Sequence, residues 1–289
     1  MNNIHAAVRE ILGEVPRQVA PLDSANNDVL RVKTSNASYV LKCFKRDRYG
    51  AYERELGMRE CLRHFSRIEF PDIVGCAELD EYRYALMNDV ARERLEDVWR
   101  KDPTQASKRM STLGRMLGSL HEIPVAEAKH YLEREDVLYT EHYFEWMMDT
   151  IAPYLKAAGQ SLLLRKCYEI VLSTPVEEVV IHADFGPHQV VVDSHGQWIL
   201  MDFEYAPLGV FADDLAGAEV RLEQKGYANI EWFLGGYESV RGAQDEYESV
   251  RSAYKAYNLL AMLTYRLAHK GEEPPTGELN RLERLLASL

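Results

Sequence analysis

Two short stretches carry the side chains best suited to chemistry: His182-Ala183-Asp184-Phe185-Gly186-Pro187-His188-Gln189 and Met201-Asp202-Phe203-Glu204. An aspartate closes one β-like run, an amide side chain follows five residues on, and a second aspartate comes after a hairpin. Phosphoryl transfer uses a group of this kind. One carboxylate orients a hydroxyl and accepts its proton, while the other oxygens hold Mg²⁺ against the phosphates. His182, His188 and His195 with Asp184 raise a rival chemistry, that of a zinc hydrolase. Their spacing fits no H-E-x-x-H frame, and the Asp193-Ser194-His195-Gly196 turn scatters the imidazoles. Taken alone, H-x-D is a common tripeptide; Asp202 downstream and a Lys–Glu pair upstream give it weight.

The elements that must position these groups are read from periodicity. Val29-Leu30-Arg31-Val32 and Ser38-Tyr39-Val40-Leu41-Lys42 are strand-like, with Thr34-Ser35-Asn36-Ala37 as a turn between them. From about Tyr49 to Phe65 the period becomes helical, with Met58, Cys61, Leu62 and Phe65 on one stripe. Glu55 falls on the same inward face, where a charge needs a partner, and Lys42 at a strand end can supply it. A strand pair is predicted at Cys76–Leu79 and Arg83–Met87. Asp102-Pro103 opens a helix that ends near His121, read as a helix-end residue favoured by the helix dipole.

A helical region over 130–172 follows, rich in aromatics and acids. Val179–Ile181, Val190–Val192 and Trp198–Met201 then form a small β cluster, and helices return in the C-terminal part. Strands and helices do not alternate regularly enough for a doubly wound sheet, so the class is α+β with a boundary near residues 88–102.

Bulk properties narrow the function. The chain has 289 residues, 46% hydrophobic and 28% charged, which is ordinary globular composition with apolar side chains enough for a core. A net charge of −12 argues against nonspecific nucleic-acid binding. Cys43, Cys61, Cys76 and Cys167 form no C-x-x-C and read as free thiols in a reducing cytosol. No segment approaches the ~20 apolar residues of a membrane span, so a cytoplasmic protein is expected.

The frame H-A-D-x-x-x-x-Q followed by D-F-E resembles the H-G-D-x-x-x-x-N and I-D-F/W-E signature of the aminoglycoside phosphotransferase and choline kinase family. The resemblance extends over most of the chain. Residues 22–42 are similar to that family's nucleotide loop and its strand ending in Y-V-L-K. Leu117 through Pro124 resembles its L-x-x-L-H-x-I-P helix end, and Asp214-Leu215-Ala216 its D-L-A. The resemblance implies a protein-kinase-like two-lobed fold. A β-rich N-terminal lobe over 1–87, a junction over 88–102 and a helical C-terminal lobe over 103–289 would sandwich ATP and Mg²⁺, with GTP not excluded.

Carried over by position, Asp184 is the catalytic base, Asp202 the principal metal ligand and Gln189 the second. Lys42 contacts the α/β-phosphates and pairs with Glu55. Ser24 and Asn26 lie in the phosphate loop, and Asn88 and Val90 offer backbone groups to adenine. His182 and Asp214 are read as structural, Asp214 by accepting hydrogen bonds from the loop backbone.

Three departures stand out. Gln189 replaces Asn, and its extra methylene shifts the reach by about 1.5 Å. Asp23-Ser24-Ala25-Asn26-Asn27 contains no glycine, so side chains or amides must serve the phosphates. Ala183 replaces Gly, read as the mildest change. The expected function is γ-phosphoryl transfer to a hydroxyl of a small molecule. The acids Glu133, Glu135, Asp136, Glu141, Glu145 and Asp149 read as a solvated helix face, and Tyr139, Tyr143, Phe144 and Trp146 mostly as core. The corresponding region borders the acceptor site in that family, however, so the resemblance suggests a cationic acceptor. The alternatives are a nucleotide-binding pseudokinase or scaffold, and a nucleotidyl transferase on the same fold.

Overall fold

The computed structural model describes residues 2–22, 28–45, 50–90, 93–132, 141–155, 159–206, 208–227 and 230–289. Its first part is a five-stranded antiparallel sheet, ordered β1-β2-β3-β5-β4. The strands are β1 (Gln18–Pro21), β2 (Asp28–Lys33), β3 (Ser38–Lys45), β4 (Ile73–Leu79) and β5 (Tyr82–Asn88). Helix α2 (Ala51–Phe65) crosses between β3 and β4.

Alternation along β3 decides what faces the cleft. Leu41 and Cys43 pack with Tyr84 and Leu86 under Ala7 and Val8 of α1 (Asn2–Leu12), an amphipathic helix that covers one face of the sheet. Lys42 and Phe44 therefore point the other way, beside Ala51 of α2 and Ala85 of β5. Ile4, Ala7, Val8, Ile11 and Leu12 stand at i, i+3, i+4, i+7 and i+8, the helical stripe that seats α1 on the sheet.

The second part is helical, with two small sheets. Strand β6 (Glu93–Arg94) pairs with β8 (Val190–Val192), and β8 with β9 (Trp198–Leu200). Strand β7 (Glu178–Val180) pairs instead with β10 (Leu208–Val210). The predicted three-strand cluster is thus split: the two runs flanking the Asp193–Gly196 turn form a hairpin, and the first joins a strand just before a helix. Around them pack α3 (Leu95–Lys101), α4 (Ala106–His121), α5 (Val125–Ala128), α6 (Glu141–Ile151), α7 (Gln160–Ser173), α8 (Phe211–Gln224), α9 (Ile230–Arg241), α10 (Asp245–Lys270) and α11 (Thr276–Ala287). Asp102 accepts a hydrogen bond from the Thr104 N–H at 3.2 Å, and a short 3₁₀ turn, Pro103–Gln105, precedes α4 proper.

The closest helix pairing is α4 on α9. A Cβ at Gly114 would lie 1.9 Å from the Phe233 carbonyl oxygen, and one at Gly236 2.1 Å from that of Ser111. Both positions need a residue without a side chain, because backbone meets backbone there. One apolar core runs from Met58 and Leu62 of α2 through α4, α7, α8 and α10 to Leu286. Among the described residues no helix is long and apolar enough to cross a membrane.

Candidate functional site

The site assembles where α2 and β3 of the first part meet the loops around β8 and β9. Lys42 is buried, with Nζ 3.0 Å from Glu55 Oε2 and 3.0 Å from Glu204 Oε2. It also bonds Asp202 Oδ1. Glu55 has no exposed surface. Its Oε1 accepts from Arg59 Nε at 2.9 Å, and its Oε2 accepts the Phe203 N–H at 3.0 Å. One carboxylate thus ties β3, α2 and the Asp202-Phe203-Glu204 turn together. Burial opposes the charge on Lys42, but Glu55, Asp202 and Glu204 outweigh it and raise its pKa. Burial likewise opposes ionisation of Glu55, and Lys42 and Arg59 reverse that and lower it. Glu204 shifts upward, through burial first and the nearby charge of Asp202 among the other causes.

On the loop after β7, Gln189 Nε2 donates to Asp184 Oδ2 at 2.6 Å and reaches Asp202 Oδ2 at 3.4 Å. The three predicted groups therefore converge, with the amide lodged between the two carboxylates. Two groups beside Asp184 were not foreseen. His188 Nε2 lies 3.2 Å from Oδ2, and Arg221 Nη2, from α8, lies 2.8 Å from Oδ1. Burial works against the Asp184 charge, but Arg221 and His188 hold its carboxyl well below the usual range. His188 stands four residues after Asp184 and had been weighed only as a zinc ligand. Arg221 gave no signal, since nothing in the spacing says that α8 turns back against the loop.

The loop backbone is pinned from below. Asp214 accepts the His182 N–H at 2.7 Å and the Ala183 N–H at 3.0 Å. Ala183 has φ 63° and Asp202 φ 66°, both in the left-handed region. Ala183 is therefore the more consequential replacement for glycine, because a Cβ in that conformation costs roughly 1 kcal/mol. His182 is buried and its Nε2 faces the Met201 carbonyl oxygen at 2.9 Å. His121 ends α4 but does not act as a dipole-stabilised cation. It is buried, with Nδ1 2.8 Å from Tyr237 Oη and Nε2 3.3 Å from Asp214 Oδ2, and burial lowers its pKa. The neutral ring fits both bonds: Nε2–H donates to Asp214 and the tyrosine hydroxyl donates to Nδ1.

At the end of β5 the Asn88 N–H is bonded to the Asp72 carbonyl oxygen, and the Val90 N–H to that of Asn88. Asp89 between them is held by Arg31 at 2.8 Å and Ser38 at 2.6 Å. Ser24 and Asn26, and with them Glu133, Glu135, Asp136 and Tyr139, lie outside the described residues. Of the remaining acids of that stretch, Glu141, Glu145 and Asp149 are exposed on α6, and Arg165 faces the first two at 3.0 and 3.9 Å. They form a solvated face. Phe144 is buried against Tyr168, while Tyr143 and Trp146 are half-buried.

Could these residues hold a divalent cation? The donors on Asp184, Asp202 and Gln189 are carboxylate and amide groups, the hard oxygen set that Mg²⁺ prefers. The amide sits where a bridging group belongs, and turning it presents Oε1 in place of Nε2. Among the described residues no three His, Cys, Asp or Glu side chains form a closed metal cage.

Comparisons with known proteins point the same way. The model of the phosphotransferase enzyme family matches residues 18–242. A search of curated proteins by sequence found no match. Among solved structures, an aminoglycoside 2'-phosphotransferase-IIIa variant in complex with GDP superposes with a TM-score of 0.70 at 16% identity, covering 99% of this chain and 96% of that one. A spectinomycin phosphotransferase, APH(9)-Ia, with ADP and spectinomycin gives 0.66 at 14%, covering 99% and 93%. A microcompartment-associated aminopropanol kinase gives 0.65 at 18%, covering 93% and 89%. At these identities the likeness establishes a kinase-like α+β fold.

Proposed function

Because this chain belongs to the phosphotransferase enzyme family, and is a small-molecule phosphotransferase by that membership, we propose that it moves the γ-phosphoryl group of ATP, with Mg²⁺, to a hydroxyl of a small acceptor. The observation that carries this reading is the Gln189 amide within hydrogen-bond reach of both Asp184 and Asp202, beside the buried Lys42–Glu55 pair. We assign the nucleotide to the cleft between the sheet of residues 18–88 and the helical part beyond about residue 102. Structural neighbours that bind ADP and GDP support a nucleotide there.

In this scheme Asp184 accepts a hydrogen bond from the acceptor hydroxyl and takes its proton as the oxygen–phosphorus bond forms. The bond from the γ-phosphorus to the bridging oxygen breaks, and ADP leaves with that electron pair. Asp184 is held ionised by its neighbours, so it is ready to orient the hydroxyl throughout the neutral range. Its basicity is low, which suits a reaction in which positioning and charge neutralisation dominate. Asp202 and Gln189 would hold Mg²⁺, whose bound charge offsets that of the phosphates. Lys42 exchanges its bonds to Asp202 and Glu204 for phosphate oxygens, while Glu55 and Arg59 keep its head group aimed.

A titration of thermal unfolding with ATP, with and without Mg²⁺, on the native chain and Asp202→Ala tests the scheme. The native protein should gain about 5 °C or more at a hundredfold excess over Kd, only with the metal. The variant should lose that gain. Stabilisation that persists in Asp202→Ala would dismiss the assigned metal position. No stabilisation by any nucleotide at millimolar concentration would favour an interaction scaffold. Labelled ATP distinguishes phosphoryl from nucleotidyl transfer by whether the γ-phosphate or the AMP moiety appears on the acceptor.

A further inference from the structure

Beside Asp184 stands a guanidinium to which the transfer scheme gives no task. Arg221 Nη2 bonds Asp184 Oδ1 at 2.8 Å and the Ala183 carbonyl oxygen at 3.3 Å. Its Nη1 and Nε make no hydrogen bond among the described residues, and the side chain keeps 15% of its surface open. This arginine is seated rather than loose. A Cβ on Gly217, one turn earlier on α8, would stand 2.8 Å from Nη1 and 2.7 Å from Asn258 Oδ1. A Cβ on Gly186 would touch the arginine Cδ at 3.5 Å. Asn258, from α10, is itself fixed by donating to Asp213 Oδ1 at 2.7 Å. Two glycines and a tethered amide thus shape a channel for one side chain.

The distribution of bonds on Asp184 says what must lie next to it. Oδ2 is taken by Gln189 and His188, at 2.6 and 3.2 Å. Oδ1, the oxygen shared with Arg221, is left to receive the acceptor hydroxyl. Any acceptor bound there has its neighbouring atoms within reach of the open guanidinium nitrogens. An ammonium in that place meets like charge, whereas a carboxylate or phosphate meets a planar fork of donors. On α6, Glu141 and Glu145 are exposed and face Arg165.

We propose that Arg221 reads an anionic oxygen group on the acceptor, close to the hydroxyl that is phosphorylated, so that the substrate is a small hydroxylated anion rather than a cationic amino compound. The assignment rests on the phosphotransferase reading and narrows its acceptor.

The test is ADP release by the full chain with Mg²⁺ and ATP, using acceptors matched in skeleton. One set is glycerate, glycerol 3-phosphate and 3-amino-1,2-propanediol; another is gluconate, glucose 6-phosphate and glucosamine. At least one anion should be used with kcat/KM roughly tenfold or more above its ammonium partner, and comparison within a set separates carboxylate from phosphate. Arg221→Gln should raise that acceptor's KM roughly 10- to 100-fold, the weight of one charge-assisted contact. Its KM for ATP should not change, and Arg221→Lys should recover part of the loss. Gly217→Ala, which displaces the guanidinium without removing it, should raise the same KM and so guards against a folding defect in the arginine variants. Preference for the ammonium compounds would overturn the proposal. So would a fall in kcat shared equally by all acceptors, or no use of any anion while Mg²⁺ and ATP still stabilise the native fold. If nucleotide stabilisation is itself missing, the phosphotransferase reading fails and takes this one with it.

Discussion

The two sides of the candidate site balance charge differently. On the side of the five-stranded sheet, the Lys42 ammonium faces the carboxylates of Glu55, Asp202 and Glu204, with Arg59 behind Glu55. Arg54 reaches the same turn, its Nε donating to the Glu204 carbonyl oxygen at 2.7 Å, and Glu204 has its pKa shifted upward by burial first, with Asp202 and Glu55 among the other causes. At α8, Asp184 meets the Arg221 guanidinium, whose Nη1 and Nε make no hydrogen bond among the described residues, while Asp213 and Asp214 of the same helix are tied to Asn258 and to the loop amides. In the proposed scheme the carboxylates near β3 would receive a cation with its phosphates, and the open nitrogens of Arg221 an oxygen group of the acceptor.

Substitutions can break this contrast one side at a time. The largest effect is expected at the group both sides share. Asp184→Asn keeps the shape and the bond to Gln189 but removes the proton acceptor, and should slow phosphoryl transfer 10²- to 10⁴-fold. Nucleotide-induced stabilisation, measured on the same sample, should persist; its loss would show that Asp184 serves metal binding instead. Next comes the sheet side. Glu55→Gln removes a buried charge and leaves Lys42 and Arg59 short of a partner, so thermal unfolding should fall by about 6–10 °C, from roughly 3 kcal/mol or more. A fall of only a degree or two would mean that Asp202 and Glu204 hold Lys42 unaided.

The smallest effect concerns the support beneath the loop. Burial lowers the pKa of His121, so the unfolded chain takes up a proton near pH 6.5 that the folded chain refuses. Stability from the neutral ring is present above that pH and declines as pH falls through it. Asp214, whose pKa is lowered against the opposing effect of burial by its bonds to His121 and the His182 amide, adds a loss only at more acid pH. His121→Gln should flatten the fall in unfolding temperature between pH 7.5 and 5.5. An unchanged slope would assign the acid sensitivity elsewhere.

Legibility in the sequence followed the same division. Lys42, Asp184, Gln189 and Asp202 were singled out by the family resemblance and Glu55 also by its helical period, and the structure brings these side chains together. The α+β class followed from strand and helix periodicity. Arg221 was not found, because its position depends on the angle at which α8 packs back on the catalytic loop, and packing angles leave no period in a sequence. The consequence of Ala183 was misjudged for a related reason: a left-handed φ is a property of the folded loop, and the residue type there hints at it only when it is glycine. The acids of α6 are exposed, as a charged helix face usually is, and composition does not say what such a face meets.

The glycine seam between α4 and α9 has a bearing on heredity as well as shape. Gly114 and Gly236 fix how far apart the two helices stand, and hence where His121 and Tyr237 meet. His121 in turn bonds Asp214, and Asp214 holds the amides of His182 and Ala183. The loop carrying Ala183 and Asp184 is therefore registered against the α4–α9 joint through His121 and Asp214. Changes accumulating along that joint would surface as altered turnover without touching a single residue that meets the substrate.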